Sequence, residues 1–106
     1  MKTNDLKAMK AMHFTPETTS YKVVVDLYSE PNKKGNMSRY ALKDFKQGKV
    51  VISGVYNPSI KRYVNLISAI KAGQRLEQYY KNCEISIIGI DHNGNTTNWV
   101  KLENLQ

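Results

Sequence analysis

The sequence predicts an α+β domain with a five-stranded antiparallel or mixed sheet, and three observations lead there. Apolar residues alternate with polar ones in short runs on either side of the chain's middle, the period of half-buried strands. Between them the spacing turns helical, with Ile60, Tyr63, Val64, Ile67 and Ile70 on one stripe. An Asn93-Gly94 pair separates the last two alternating runs, and Asn-Gly is a strong hairpin signal. The predicted order is β-β-β-α-β-β behind a short N-terminal helix. Residues 1–106 form a single domain, with 1–19 as an arm and 20–106 as the core.

Leu6, Met9 and Met12 recur at three-residue spacing, so residues 3–13 can form a short amphipathic helix packed on the domain. Thr15-Pro16 ends it. Tyr21 to Tyr28 reads as a strand, with Tyr21, Val23, Val25 and Leu27 alternating. Val24 makes its other face apolar too, which places this strand centrally. The loop Glu30 to Asn36 follows, then a more polar strand, Met37 to Phe45. A tight turn at Gln47-Gly48 leads into a third strand, Lys49 to Tyr56. Asn57 suits an N-cap and Pro58 the first helical position, so a helix is predicted from there to about Lys81. Gly73 weakens that helix by roughly 1 kcal/mol against Ala. Cys83 to Ile90 and Thr96 to Leu102 form the closing hairpin. A two-residue turn sets Ile88 opposite Trp99 and Ile90 opposite Thr97. The face carrying Ile88, Ile90 and Trp99 is then covered by the N-terminal arm or exposed as a partner surface.

Composition narrows function by exclusion. The single cysteine, Cys83, allows no internal disulfide and sits in an apolar segment, as a buried inert thiol does. His13 and His92 are far apart, and no zinc-finger spacing occurs. No phosphate-loop, dinucleotide, nucleophile-elbow or calcium-loop pattern is present, so no cofactor is expected. No apolar run reaches membrane-span length, and the N-terminus lacks a secretory core, so no membrane partner and a cytoplasmic setting are expected.

The stretch Asn57-Pro58-Ser59-Ile60-Lys61-Arg62-Tyr63-Val64-Asn65-Leu66-Ile67-Ser68-Ala69-Ile70 resembles the helix-opening segment of the ribonuclease H-like fold. Val23-Val24-Val25-Asp26 is similar to that family's first strand, and Asn82-Cys83-Glu84-Ile85 into Ile90-Asp91 to its fourth. The resemblance covers residues 21–91 and implies that strand four pairs parallel to strand one. It also implies Asp26 and Asp91 as two carboxylates of a metal-dependent nuclease. Asn65 stands where the family has its helix glutamate, and an amide cannot replace that charge. The later elements of the family are missing, so the catalytic set is incomplete.

Charge gives the leading functional expectation. Sixteen Lys+Arg against nine Asp+Glu leave +7, an excess that suits a polyanion. Lys61, Lys71 and Arg75 fall on one stripe of the predicted helix, Lys33 and Lys34 lie in the first loop, and Arg39 is on strand two. If they converge, they form a nucleic-acid-binding patch on a small non-catalytic module. Tyr28, Tyr40 and Tyr56 are candidates for stacking on bases. The alternative is a protein-interaction module, such as an inhibitor or accessory factor of a phage or mobile element. It would use Ile88, Ile90 and Trp99 toward a protein partner or a second copy. A second alternative is a reduced metal-dependent nuclease using Asp26 and Asp91. His92, beside Asp91 at the hairpin turn, reads as an exposed turn histidine.

Overall fold

Tyr21, Val23 and Val25 alternate on one face of the first strand because that face carries the main core. In the computed structural model, which describes residues 3–106 but not the side chains of residues 3–5 or of Lys33, these residues are buried. The order is α1 (Thr3–His13), β1 (Ser20–Glu30), a 3₁₀ turn (Pro31–Lys33), β2 (Lys34–Lys46), β3 (Lys49–Ser53), α2 (Leu66–Tyr79), β4 (Cys83–Ile90), β5 (Thr96–Lys101) and a second 3₁₀ turn (Leu102–Leu105). The five strands form one sheet in the order β3-β2-β1-β4-β5. This is the expected α+β architecture, with β1 in the centre.

Every pairing is antiparallel, including β1 with β4, where Asp26 faces Glu84 and Ser20 faces Ile90. The parallel pairing implied by the ribonuclease H-like resemblance is therefore not the one formed. The segment that carries that resemblance is also not helical before Leu66.

That is the main correction to the sequence reading. Residues 57–65 do not begin α2; Asn65 is its N-cap. Asn57 caps a local turn instead, its Oδ1 accepting from the Ser59 N–H at 2.8 Å. Tyr63 then runs beside β1, and the N–H and C=O of Tyr21 and Tyr63 bond reciprocally at 2.7 and 2.8 Å. The reason is backbone accounting. β2 pairs with β1 only from Val24 onward, so the groups of Tyr21 need another partner. Val64, placed on the predicted helical stripe, points into solvent.

α2 covers one sheet face with Leu66, Ala69, Ile70 and Leu76, packing over Val23, Val25, Ile85 and Ile87. Leu102 and Leu105 close the same core. α1 adds Leu6 and Met9 there, and Phe14 meets Tyr21 edge-on at 5.1 Å. Gly89 is required by this approach: a Cβ there would stand 2.8 Å from Phe14 Cδ1 and 2.6 Å from Thr97 Oγ1.

The opposite face holds a smaller cluster of Val24, Ala41 and Ile88, covered by Val55 and Ile60. The cover is thus the 54–60 segment, not the N-terminal arm. β4 and β5 join through a turn in which Gly94 N–H bonds Asp91 C=O, with Gly94 at φ 85°. This turn is one residue longer than expected and shifts the register, so Ile90 faces Thr96 while Ile88 faces Trp99.

Candidate nucleic-acid interface

Lys22 lies on the minor-core face of β1, beside Val24. Its neighbours on that face are apolar, so its stem is held while its ammonium reaches the rim. There Nζ donates to Val55 C=O at 3.4 Å. Val55 and Ile60 anchor the 54–60 segment across the face, and two turns stiffen it: Asn57 N–H bonds Gly54 C=O, and Ile60 N–H bonds Asn57 C=O. Arg62 follows, its Nη2 lying 3.9 Å from where a side chain on Gly94 would begin. Together these residues line a cleft of about 270 Å³, made by Lys22, Val55, Tyr56, Asn57, Pro58, Ile60, Arg62 and Gly94.

Two features set this cleft apart. No carboxylate lines it, and neither cation has an ion-pair partner among the described residues. Burial pushes the Lys22 ammonium below the usual lysine pKa, and the charge of Arg62 adds to the effect. The nearby Asp91 is turned inward on its own hairpin, its Oδ1 accepting from the N–H groups of Asn93 and Asn95 at 2.9 Å. The second feature is Tyr56, 94% exposed at the mouth. A lone exposed aromatic means little; this one stands beside two cations in a cleft that no carboxylate lines.

The basic residues singled out from the sequence do not gather as one patch. Lys61 and Arg75 approach each other at Tyr63 and Phe45: Lys61 Nζ is 5.6 Å from the Tyr63 ring centre, and the Arg75 guanidinium is 4.2 Å from that of Phe45. Lys71 is exposed one turn earlier on α2. Lys61 leaves from the extended segment, not from a helix, and Asp44 acts on Tyr63 in the same region. Lys34 opens β2, roughly 25 Å along the strand from Leu42, whose C=O accepts from Lys61 N–H. The side chain of Lys33 lies outside the described residues. Arg39 is committed elsewhere, donating from Nε and Nη2 to both oxygens of Asp26 at 2.7 and 3.1 Å. It also stacks 4.6 Å from the Trp99 ring.

The expected partner surface is corrected as well. Ile88 and Ile90 are buried at 0% and 2% exposure, so Trp99, at 47%, is what remains of it. Of the three tyrosines expected to stack, Tyr40 packs on the main core, Tyr28 is half-buried and Tyr56 stands clear.

The carboxylates implied by the ribonuclease H-like resemblance are not brought together. Asp26 faces Glu84 at one end of β4 and Asp91 follows Ile90 at the other, roughly 23 Å away. A two-metal centre needs its carboxylates around ions about 4 Å apart. Among the described residues no group of three or more His, Cys, Asp or Glu could hold a metal ion, and no helix is long and apolar enough to cross a membrane.

Lys22 and Arg62 are the residues sequence reasoning missed. A cation in an alternating strand looks like a solvated position, and Arg62 falls off the helical stripe that the structure dissolves. Compared with protein-family models, curated proteins and solved structures, the chain matches none.

Proposed function

We propose that this domain is a non-catalytic nucleic-acid-binding module whose contact region centres on the 54–63 segment. The observation that carries the reading is the pairing of Lys22 and Arg62 in one cleft with no acid to neutralise them. Two like charges held together cost free energy that an incoming phosphate relieves. Lys61 and Arg75, over Tyr63 and Phe45 on the α2 side, add positive charge to the domain without lining the cleft. The overall charge of +7 favours the same partner through long-range attraction.

Titration with labelled single- and double-stranded DNA and RNA at low and high salt tests the reading. Binding is expected near 50 mM salt and falls steeply as salt rises. No binding at roughly 100 μM protein and low salt overturns it.

A second reading, a protein partner, is favoured by one observation. Trp99 and Met37 are 47% and 43% exposed and lie on the same sheet face. A complex or dimer that quenches or shifts Trp99 fluorescence supports it; an unchanged spectrum on nucleic-acid binding assigns that face no part in the first reading.

A further inference from the structure

Resting on the nucleic-acid reading, we infer that the Lys22–Arg62 cleft is a single-nucleotide subsite of a single-stranded ligand. One phosphate sits between the Lys22 ammonium and the Arg62 guanidinium, and the adjoining base lies on the Tyr56 ring.

Three properties of the cleft select this ligand over a duplex. Its volume of about 270 Å³ admits one small group, not a double helix. Its two cations come from different elements, Lys22 from β1 and Arg62 from the segment after β3, and line one cleft close enough for the charge of one to act on the other. A row of separate phosphates along a backbone groove would need them spread apart. Its aromatic wall is presented edge and face to solvent, with Pro58 beside it. A base in a duplex has both faces occupied by its neighbours, whereas an unpaired base can leave its stack for a protein ring. The side-chain amide that lines the cleft, Asn57, has its Oδ1 engaged by the Ser59 N–H, which leaves its NH2 to meet a base edge. Stacking with so few edge contacts gives little sequence preference.

The pocket is also built before any ligand arrives. Val55 and Ile60 are packed on Val24, Ala41 and Ile88, and the Tyr21–Tyr63 pairing fixes the chain just beyond Arg62. Another groove of comparable size, beside α1 and about 290 Å³, is bordered by Lys7 and Lys10, but its ring, Phe14, is buried and cannot stack on a base.

The experiment uses the full chain and four probes: a short oligothymidylate strand, its duplex with oligoadenylate, thymidine monophosphate and inorganic phosphate. Binding is followed for the native protein and for Tyr56→Ala, Lys22→Gln and Arg62→Gln. Tyr56 is almost wholly exposed and Arg62 lies at the rim, so these variants are expected to keep the native circular dichroism spectrum. The expected result is that Tyr56→Ala weakens the single strand about tenfold and leaves the duplex unchanged. Arg62→Gln and Lys22→Gln should each lower the slope of log affinity against log salt by about 0.7, the value for one phosphate of a single strand. Thymidine monophosphate should compete better than inorganic phosphate. Strand binding that ignores all three substitutions overturns the subsite and leaves the nucleic-acid reading standing. Inorganic phosphate competing as well as the nucleotide overturns the role of Tyr56. Failure of both strand forms to bind overturns the functional reading and the subsite with it.

Discussion

Two arginines on one side of the sheet have opposite fates. Arg39 lies over an aromatic ring and grips a carboxylate, Asp26, that is 3% exposed. Arg62 lies near an exposed aromatic and meets another cation. The first arrangement is complete in itself. The hydrogen bonds that Arg39 donates to Asp26 hold its proton more tightly than usual, and little charge is left for a partner. The second is complete only when something negative arrives. A count of positive residues scores the two equally; what separates them is whether the fold supplies the counter-charge.

The largest expected effect comes from dismantling the closed pair. Arg39→Ala leaves the Asp26 carboxylate buried without its partner and should destabilise the domain by roughly 3 kcal/mol in urea unfolding. Nucleic-acid affinity should change little. Asp26→Asn sharpens the contrast, because it releases Arg39; the variant should be less stable yet bind a polyanion with a steeper salt dependence. If Arg39→Ala instead abolishes binding while the fold persists, the distinction between the two arginines is wrong.

Next in size is the packing that holds the other face in place. Gly89→Ala forces a methyl against Phe14 and Thr97 and should cost about 2 kcal/mol, read as a lowered urea midpoint. Thr18 and Phe14 lie on the α2 side, so the cleft should keep its affinity in whatever fraction stays folded.

Alkaline titration gives a smaller, signed effect. Burial pushes the hydroxyls of Tyr21, Tyr63 and Tyr80 above their ordinary pKa. The unfolded chain then loses these protons first, so stability should fall as pH rises past about 10. Lys22 works the other way: its folded pKa is depressed, so the folded protein releases that proton first and this contribution grows with pH below about 10.4. The Tyr21 hydroxyl is buried with no hydrogen-bond partner among the described residues, so Tyr21→Phe should be neutral or slightly stabilising at pH 7 and should blunt the alkaline loss. A clear loss of stability at pH 7 would show that the hydroxyl has a partner.

The smallest effect is also the most telling for the cleft. Lys22→Gln removes the repulsion with Arg62 and should raise thermal stability by a few tenths of a kcal/mol at pH 7 while weakening polyanion binding. Most substitutions in a binding site cost either stability or nothing, so opposite signs in the two assays mark a charge kept for a ligand.

The strands were the most legible part of this sequence. β4 and β5 follow from alternation and from Asn93-Gly94, and the central place of β1 follows from Val24, because local pattern and tertiary burial agree there. The helix start was misread because Ile60, Tyr63 and Val64 mimic a helical stripe. In the folded chain Ile60 packs on the minor core, Tyr63 pairs with β1 and Val64 faces water. The decisive demand, a partner for the backbone of Tyr21, is set by how far β2 reaches and leaves no mark near residue 60. The cleft was invisible for the same reason. Lys22 and Arg62 are 40 positions apart and meet only because the 54–63 segment crosses the sheet. The basic stripe of Lys61, Lys71 and Arg75 survives in part, through side chains rather than through a shared helix.

The strap formed by residues 54–63 is fastened by Val55, by Ile60 and by the reciprocal bonds of Tyr63. A segment so moored has already lost its conformational freedom during folding, which bears directly on the proposed binding. Ordering entropy at the moment of capture then falls on the incoming chain alone, and association should show a modest heat-capacity change and no lag for loop closure. Residues at its crest such as Tyr56 can be exchanged with little penalty to the scaffold while the anchors stay fixed, so under the proposed function ligand preference and fold stability can vary separately.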